Sequence, residues 1–68
     1  MDTYRIYDEY IKLGQALKAA DYVTSGVEAK EVILEGKVKV NGEVDLRRGK
    51  KLVKGDVVEY DGKSLKIE

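Results

Sequence analysis

The stretch that most constrains this chain runs from Ser25 to Gly42, S-G-V-E-A-K-E-V-I-L-E-G-K-V-K-V-N-G. Ser25-x-x-Glu28 has capping-box spacing: the serine hydroxyl accepts from the N–H three residues on, and the glutamate reaches back. Ala29, Val32 and Ile33 recur at helical spacing, which predicts a helix over about Gly26–Glu35 with that stripe buried. Gly36 stands where the left-handed residue that ends a helix is wanted. Val38 and Val40 then alternate with Lys37 and Lys39, as in a half-buried strand. Asn41-Gly42 offers both positive-φ residues of a type I′ turn, so the chain should return as a partner strand over Glu43–Leu46.

The flanks add a second helix and a second hairpin. Tyr4 and Ile6 alternate with Thr3, Arg5 and Tyr7, a short strand pattern, and Asp8–Tyr10 connects it onward. Leu13, Ala16, Leu17 and Ala20 predict a helix over about Leu13–Ala20, with Lys12, Gln15 and Lys18 on its polar side. Lys12 is a poor N-cap. Gly14 costs about 1 kcal/mol relative to alanine, so this helix must be held by packing. Asp21–Thr24 link the two helices. Arg47–Lys51, R-R-G-K-K, reads as a loop, and Lys54-Gly55-Asp56 as a turn. Val57–Tyr60 and Lys63–Ile67 form a hairpin around Asp61-Gly62, with Val58, Tyr60, Leu65 and Ile67 toward the core. The expected class is α+β: a helical hairpin packed on a small, mostly antiparallel sheet, in one domain spanning residues 1–68.

Composition removes most chemistry. With no cysteine or histidine, the chain lacks thiolate ligands, the commonest zinc ligand and the commonest general base. Ser25 has no base to activate it, no phosphate loop is present, and Glu28, Glu31 and Glu35 read as a solvated helix face. The expectation is no enzyme, no cofactor and no metal. The start, M-D-T-Y-R-I-Y-D-E-Y, is polar and acidic and predicts no secretory leader. No apolar run approaches the roughly 20 residues that span a bilayer, so no membrane partner and a cytoplasmic location are expected.

The charge pattern is more informative. The net charge is zero, yet residues 37–54 hold seven basic side chains against two acidic ones, a local excess of +5. Residues 1–36 carry −3 and residues 55–68 carry −2. Such a segregated basic segment attracts phosphate, and arginine forks bind it bidentately. The same side chains also solubilise a small domain and guard strand edges, and composition does not choose between these readings. Lys30 would share a side with Lys37 if the helical path continued that far. Among the tyrosines, Tyr4 and Tyr60 read as packing. Tyr7, Tyr10 and Tyr22 are candidates for exposure, and Tyr22 either packs or stacks on an unpaired base.

The order of features from Lys12 to Asp56 resembles the S-four RNA-binding domain, named for small-subunit ribosomal protein four. The matching residues are Lys12-Leu13 with Leu17-Lys18, Ser25, Glu28-Ala29-Lys30, and the run Ile33, Gly36, Val38, Val40, Asn41, Gly42. Leu52 and Gly55-Asp56 complete them. The chain looks most like the small stand-alone members, the YaaA and YbcJ types. The resemblance implies an alpha-L, S-four-like fold with its core motif at about residues 12–56. It implies binding of structured RNA, ribosomal or transfer, with help to ribosome assembly as a role and ribosomal proteins as further partners. The alternative is a protein–protein interaction module on the ribosome or another RNA–protein complex. Carried over by position, the RNA-contacting candidates are Lys12, Ser25, Lys30, Lys37, Lys39 and Asn41. Many members carry an arginine where this chain has Gly26, which instead lets a backbone N–H approach a phosphate. Arg47, Arg48, Lys50 and Lys51 are candidates to supply the missing charge.

Overall fold

A computed structural model describes residues 1–68. The elements are β1 (Asp2–Tyr4), β2 (Ile11–Lys12), α1 (Leu13–Ala19), α2 (Gly26–Leu34), β3 (Val38–Val40), β4 (Glu43–Val44), β5 (Lys51–Leu52), β6 (Val57–Tyr60) and β7 (Lys63–Ile67). No helix is long and apolar enough to cross a membrane.

Helix α2 begins as its sequence dictates, with one change. Ser25 Oγ accepts from Glu28 N–H at 3.1 Å. The Glu28 carboxylate, however, reaches past the cap residue. It accepts from Thr24 N–H at 2.6 Å and from the Thr24 hydroxyl at 3.1 Å. At the other end Gly36, at φ +76°, turns the chain left-handed. Gly36 N–H donates to Ile33 C=O and Lys37 N–H to Val32 C=O, both at 3.1 Å, satisfying two orphan carbonyls of the last turn. The helical path therefore stops before Lys37, so Lys30 and Lys37 do not continue one helix face.

Five strands form one sheet in the order β1-β7-β6-β3-β4, antiparallel except for the parallel pair β1·β7. The second hairpin occupies the residues its alternation predicts. The N-terminal strand is shorter and earlier than expected, pairing Asp2–Tyr4 with Leu65–Ile67. Its predicted continuation survives as one bond, Ile6 N–H to Glu68 C=O at 2.8 Å. The return strand after Asn41-Gly42 stops at Val44.

The helical hairpin lies on one face of this sheet. Leu13, Ala16 and Leu17 of α1 join Ala29, Val32 and Ile33 of α2, and Val38, Val40, Val58, Leu65 and Ile67 of the sheet, in one buried cluster. Leu52 of β5 completes it from the side. Tyr60 is only half-buried. Tyr22 takes the packing reading: its hydroxyl donates to Asp2 Oδ2 at 2.6 Å and lies 3.0 Å from Ser64 C=O. Burial, and then the Asp2 carboxylate beside it, push its pKa up to about 12. The inter-helix link is thereby fastened to the β1·β7 pair.

Asn41 and Asp56 explain why an Asn-Gly turn and a Gly-Asp turn belong together in this chain. Asn41, at φ +53°, donates from Nδ2 to Asp56 Oδ1 at 3.0 Å and accepts from Val57 N–H at 2.9 Å. Asp56 Oδ2 accepts from Val53 N–H at 2.8 Å. The side chain of Asn41 is thus spent on joining two turns. Asn41→Asp would replace the donor with a second carboxylate, and we expect a loss of about 1–2 kcal/mol at neutral pH. Urea midpoints of the variant and the unaltered protein check this.

Candidate nucleic-acid interface

The R-R-G-K-K segment is not a free loop. The first N–H groups of a helix have no partner within it. Here Leu13 N–H donates to Lys50 C=O at 2.8 Å and Gly14 N–H to Arg48 C=O at 3.1 Å. Lys51 and Leu52 form β5, a short antiparallel ladder with Lys12 and Ile11 of β2. The start of α1 thus caps itself with the basic segment. Gln15 Oε1 adds a contact from Lys12 N–H at 3.3 Å, while the lysine side chain has no lone pair to offer as a cap. Gly14 permits this approach, since a Cβ there would lie 2.8 Å from Arg48 Cγ.

The result is a groove of about 350 Å³ between the starts of the two helices, lined by Lys12, Gln15, Lys18, Gly26, Arg48 and Gly49. Two ion pairs form in the molecule, Lys37–Glu35 at 3.3 Å and Arg47–Asp45 at 2.9 Å. Lys12, Lys18 and Arg48 therefore carry unpaired charge. The N-terminus of α2 adds the positive end of its dipole, partly offset by Glu28 in the first turn. A Cβ at Gly26 would meet nothing within 4 Å, so no packing demand explains the glycine. Lys18 is the member that sequence reasoning left out. Its signal was the i, i+3, i+6 spacing of Lys12, Gln15 and Lys18, which places all three along one helix face.

The other sequence-derived candidates lie elsewhere or are engaged. Arg47 forks onto Asp45, with Nε 3.0 Å from Oδ1 and Nη2 2.9 Å from Oδ2, and its backbone N–H adds a third bond at 2.9 Å. Asn41, Arg47 and Lys50 line a second groove beside this pair. Lys51 Nζ sits 4.8 Å above the Tyr10 ring. Ser25 is spent as the α2 cap, and Lys30 is exposed on α2. Lys37, just before β3, pairs with Glu35 at the end of α2, and Lys39 points from the sheet face opposite Val38 and Val40, away from the helices. There Lys39 faces Glu59 across the β3·β6 ladder. The structure therefore groups Lys12, Gly26 and Arg48 in one place and separates them from the basic strand.

Asp45 is only 9% exposed. The Arg47 bonds hold its carboxyl below its ordinary 3.8, against burial that pushes it up. A depressed folded-state pKa means the stabilisation is complete above pH 3.8 and is lost as pH falls further. Asp45→Asn should cost about 1–2 kcal/mol near neutrality. Its difference from the unaltered protein should fade in the acid limb of a pH-dependent melt.

Comparison with known proteins agrees with this architecture. A family model described as the S4 domain matches residues 4–68. The "probable ribosome maturation protein RlbA" of Bacillus subtilis is 56% identical over 54 residues, covering 79% of this chain and 76% of that protein. YbcJ of Escherichia coli is 38% identical over 58 residues, covering 85% and 83%. The solution structure of YbcJ, described as having an alpha-L motif involved in RNA binding, superposes with a TM-score of 0.75 at 35% identity. That match covers 98% of this chain and 86% of YbcJ. The chain belongs to the S4 domain family.

Proposed function

We infer that this chain is a non-catalytic, cytoplasmic RNA-binding domain that holds structured RNA, ribosomal RNA in particular, and assists ribosome assembly. The observation that carries the reading is the groove between the helix starts, where Lys12, Lys18 and Arg48 remain without acidic partners. Its relatives support the same reading, one named for ribosome maturation and one with a motif involved in RNA binding. In this reading Lys12, Lys18, Arg48, Lys50 and Lys51 contact phosphate, and Gly26 lets the α2 start approach it. Lys30 and Lys39 add long-range attraction, while Ser25, Asn41 and Arg47, and Lys37 in its pair with Glu35, shape the surface. With about five phosphate contacts, the log–log slope of affinity against salt should lie near −3.5 to −4.5. Binding of a structured RNA at several salt concentrations, with Lys50 and Lys51 changed to alanine, tests this. Salt-independent binding, or no loss in the variant, would sink it.

A second reading has one specific observation behind it. Val27 and Leu34 stand two turns apart on α2, 67% and 59% exposed. Such a stripe suits a protein partner on the ribosome, and predicts a co-purifying protein that survives nuclease treatment.

A further inference from the structure

The groove between the helix starts has an aromatic neighbour. Tyr4, Tyr7 and Tyr10 line a further groove, of about 540 Å³, along the outer side of α1. Gln15 and Lys18 line both grooves, so the two adjoin at these side chains of α1. Tyr4 packs partly against the core, and Tyr10 is bridged to the basic segment by the Lys51 ammonium over its ring. Tyr7 does neither: it is 91% exposed. Nothing in folding accounts for an aromatic ring so fully in water on a connection this short. The volume lies in the ordinary range of small-ligand clefts, about 300–1,000 Å³. Polar edges are present too. Asp8 lines the groove as an acceptor, and Gln15, whose Oε1 is taken by Lys12, keeps its NH₂ as a donor.

Resting on the RNA-binding reading above, we propose that this tyrosine groove takes an unpaired base of the same RNA whose backbone lies across Lys12, Lys18 and Arg48. Aromatic faces stack on any base, and folded RNA offers splayed bases only at loops, bulges and ends. The phosphate groove then supplies affinity for RNA in general, and the tyrosines supply preference for RNA with an unpaired nucleotide beside the helix. Asp8 would favour bases with amino or imino donors.

The test uses two RNA probes, a hairpin carrying 2-aminopurine in its loop and the fully paired duplex of the same stem. Tyr7→Ala should weaken hairpin binding about tenfold and leave duplex binding within about twofold. Its salt slope should be unchanged, because stacking releases no counterion. Tyr7→Phe should bind as the unaltered protein, and the unaltered protein should change the 2-aminopurine fluorescence on binding. Tyr7 is exposed, so thermal melts of both variants should match the parent. If Tyr7→Ala binds both probes normally while Lys12→Gln and Arg48→Gln lose affinity, the inference falls and the RNA-binding reading stands. If the unaltered protein binds neither probe, both fall. If the protein sediments as a dimer that Tyr7→Ala converts to monomer, the groove is a protein interface and the inference is wrong.

Discussion

Changing Lys12 and Arg48 together to glutamine should lower affinity for a structured RNA by about 25- to 60-fold at about 0.1 M salt. Each lost phosphate contact removes roughly 0.7–0.9 from the log–log salt slope, which at that ionic strength is about 5- to 8-fold apiece. The slope should flatten by about 1.4–1.8, and the curves should converge as salt rises. Neither side chain has an ion-pair partner to lose, and both lie outside the buried cluster, so folding should be unaffected. The reverse experiment is available at Gly26. Space is open there, and the residue opens α2 at the groove wall. Gly26→Arg should therefore gain about 5- to 8-fold in affinity and steepen the slope by one contact. Gly14→Ala separates position from charge. It adds no charge and improves helix propensity, but its Cβ would stand 2.8 Å from Arg48 Cγ and push that arm out of the groove. Its expected signature is weakened RNA binding with stability little changed. Titration by fluorescence anisotropy reads all three.

Changing Ile33 to alanine should cost about 2–5 kcal/mol. Ile33 is fully buried on α2, in the cluster that joins both helices to the sheet. A chain of 68 residues has total stability of only about 3–10 kcal/mol at typical values per residue. The substitution should thus remove a large share of the stability and lower the melting temperature markedly. Ile33→Val, which removes one methyl group, should cost about 0.5–1.5 kcal/mol and keep the fold. Chemical denaturation of the two variants measures the difference. Because α2 also forms a wall of the groove, Ile33→Ala should lose RNA binding in proportion to the unfolded fraction, with the salt slope of the folded fraction unchanged.

These two predictions divide what the sequence can show from what it cannot. The Ile33 result follows from a pattern legible in the chain itself. The stripe Ala29, Val32, Ile33, the serine cap, the Gly36 stop and the two Asn-Gly and Asp-Gly turns are all local, and local devices carry their geometry with them. The helical hairpin and the hairpin of β6 and β7 accordingly stand where their residues predict. The pairing of Asp2–Tyr4 with Leu65–Ile67 is different. Alternation marks a strand but does not name its partner, and these partners lie at opposite ends of the chain.

The groove was half legible for a related reason. Lys12 and Arg48 were individually visible as cations, but their meeting depends on backbone bonds from Leu13 and Gly14 to the carbonyls of Lys50 and Arg48. Backbone donors have no side-chain code. Gly14 was the one trace of that contact, and its cost to helix propensity was visible where its purpose was not. Net charge misled at Arg47. A count treats it as free, whereas Asp45, two residues away, holds it in a bidentate fork. Lys37 and Lys39 are close in sequence to α2, but Lys37 pairs with Glu35 and Lys39 falls on the far face of the sheet, since Val38 and Val40 claim the near one.

The central claim is that RNA lies across the starts of the two helices and the segment pinned to them. Amide chemical-shift mapping during titration with a structured ribosomal RNA fragment tests it most directly. The account predicts shifts concentrated at Lys12–Lys18, Ser25–Lys30 and Arg47–Lys51, with Lys39 and Glu59 on the outer face of the sheet unmoved. Shifts centred instead on Lys37, Lys39 and the outer face of β6, or no shifts at saturating RNA, would contradict it.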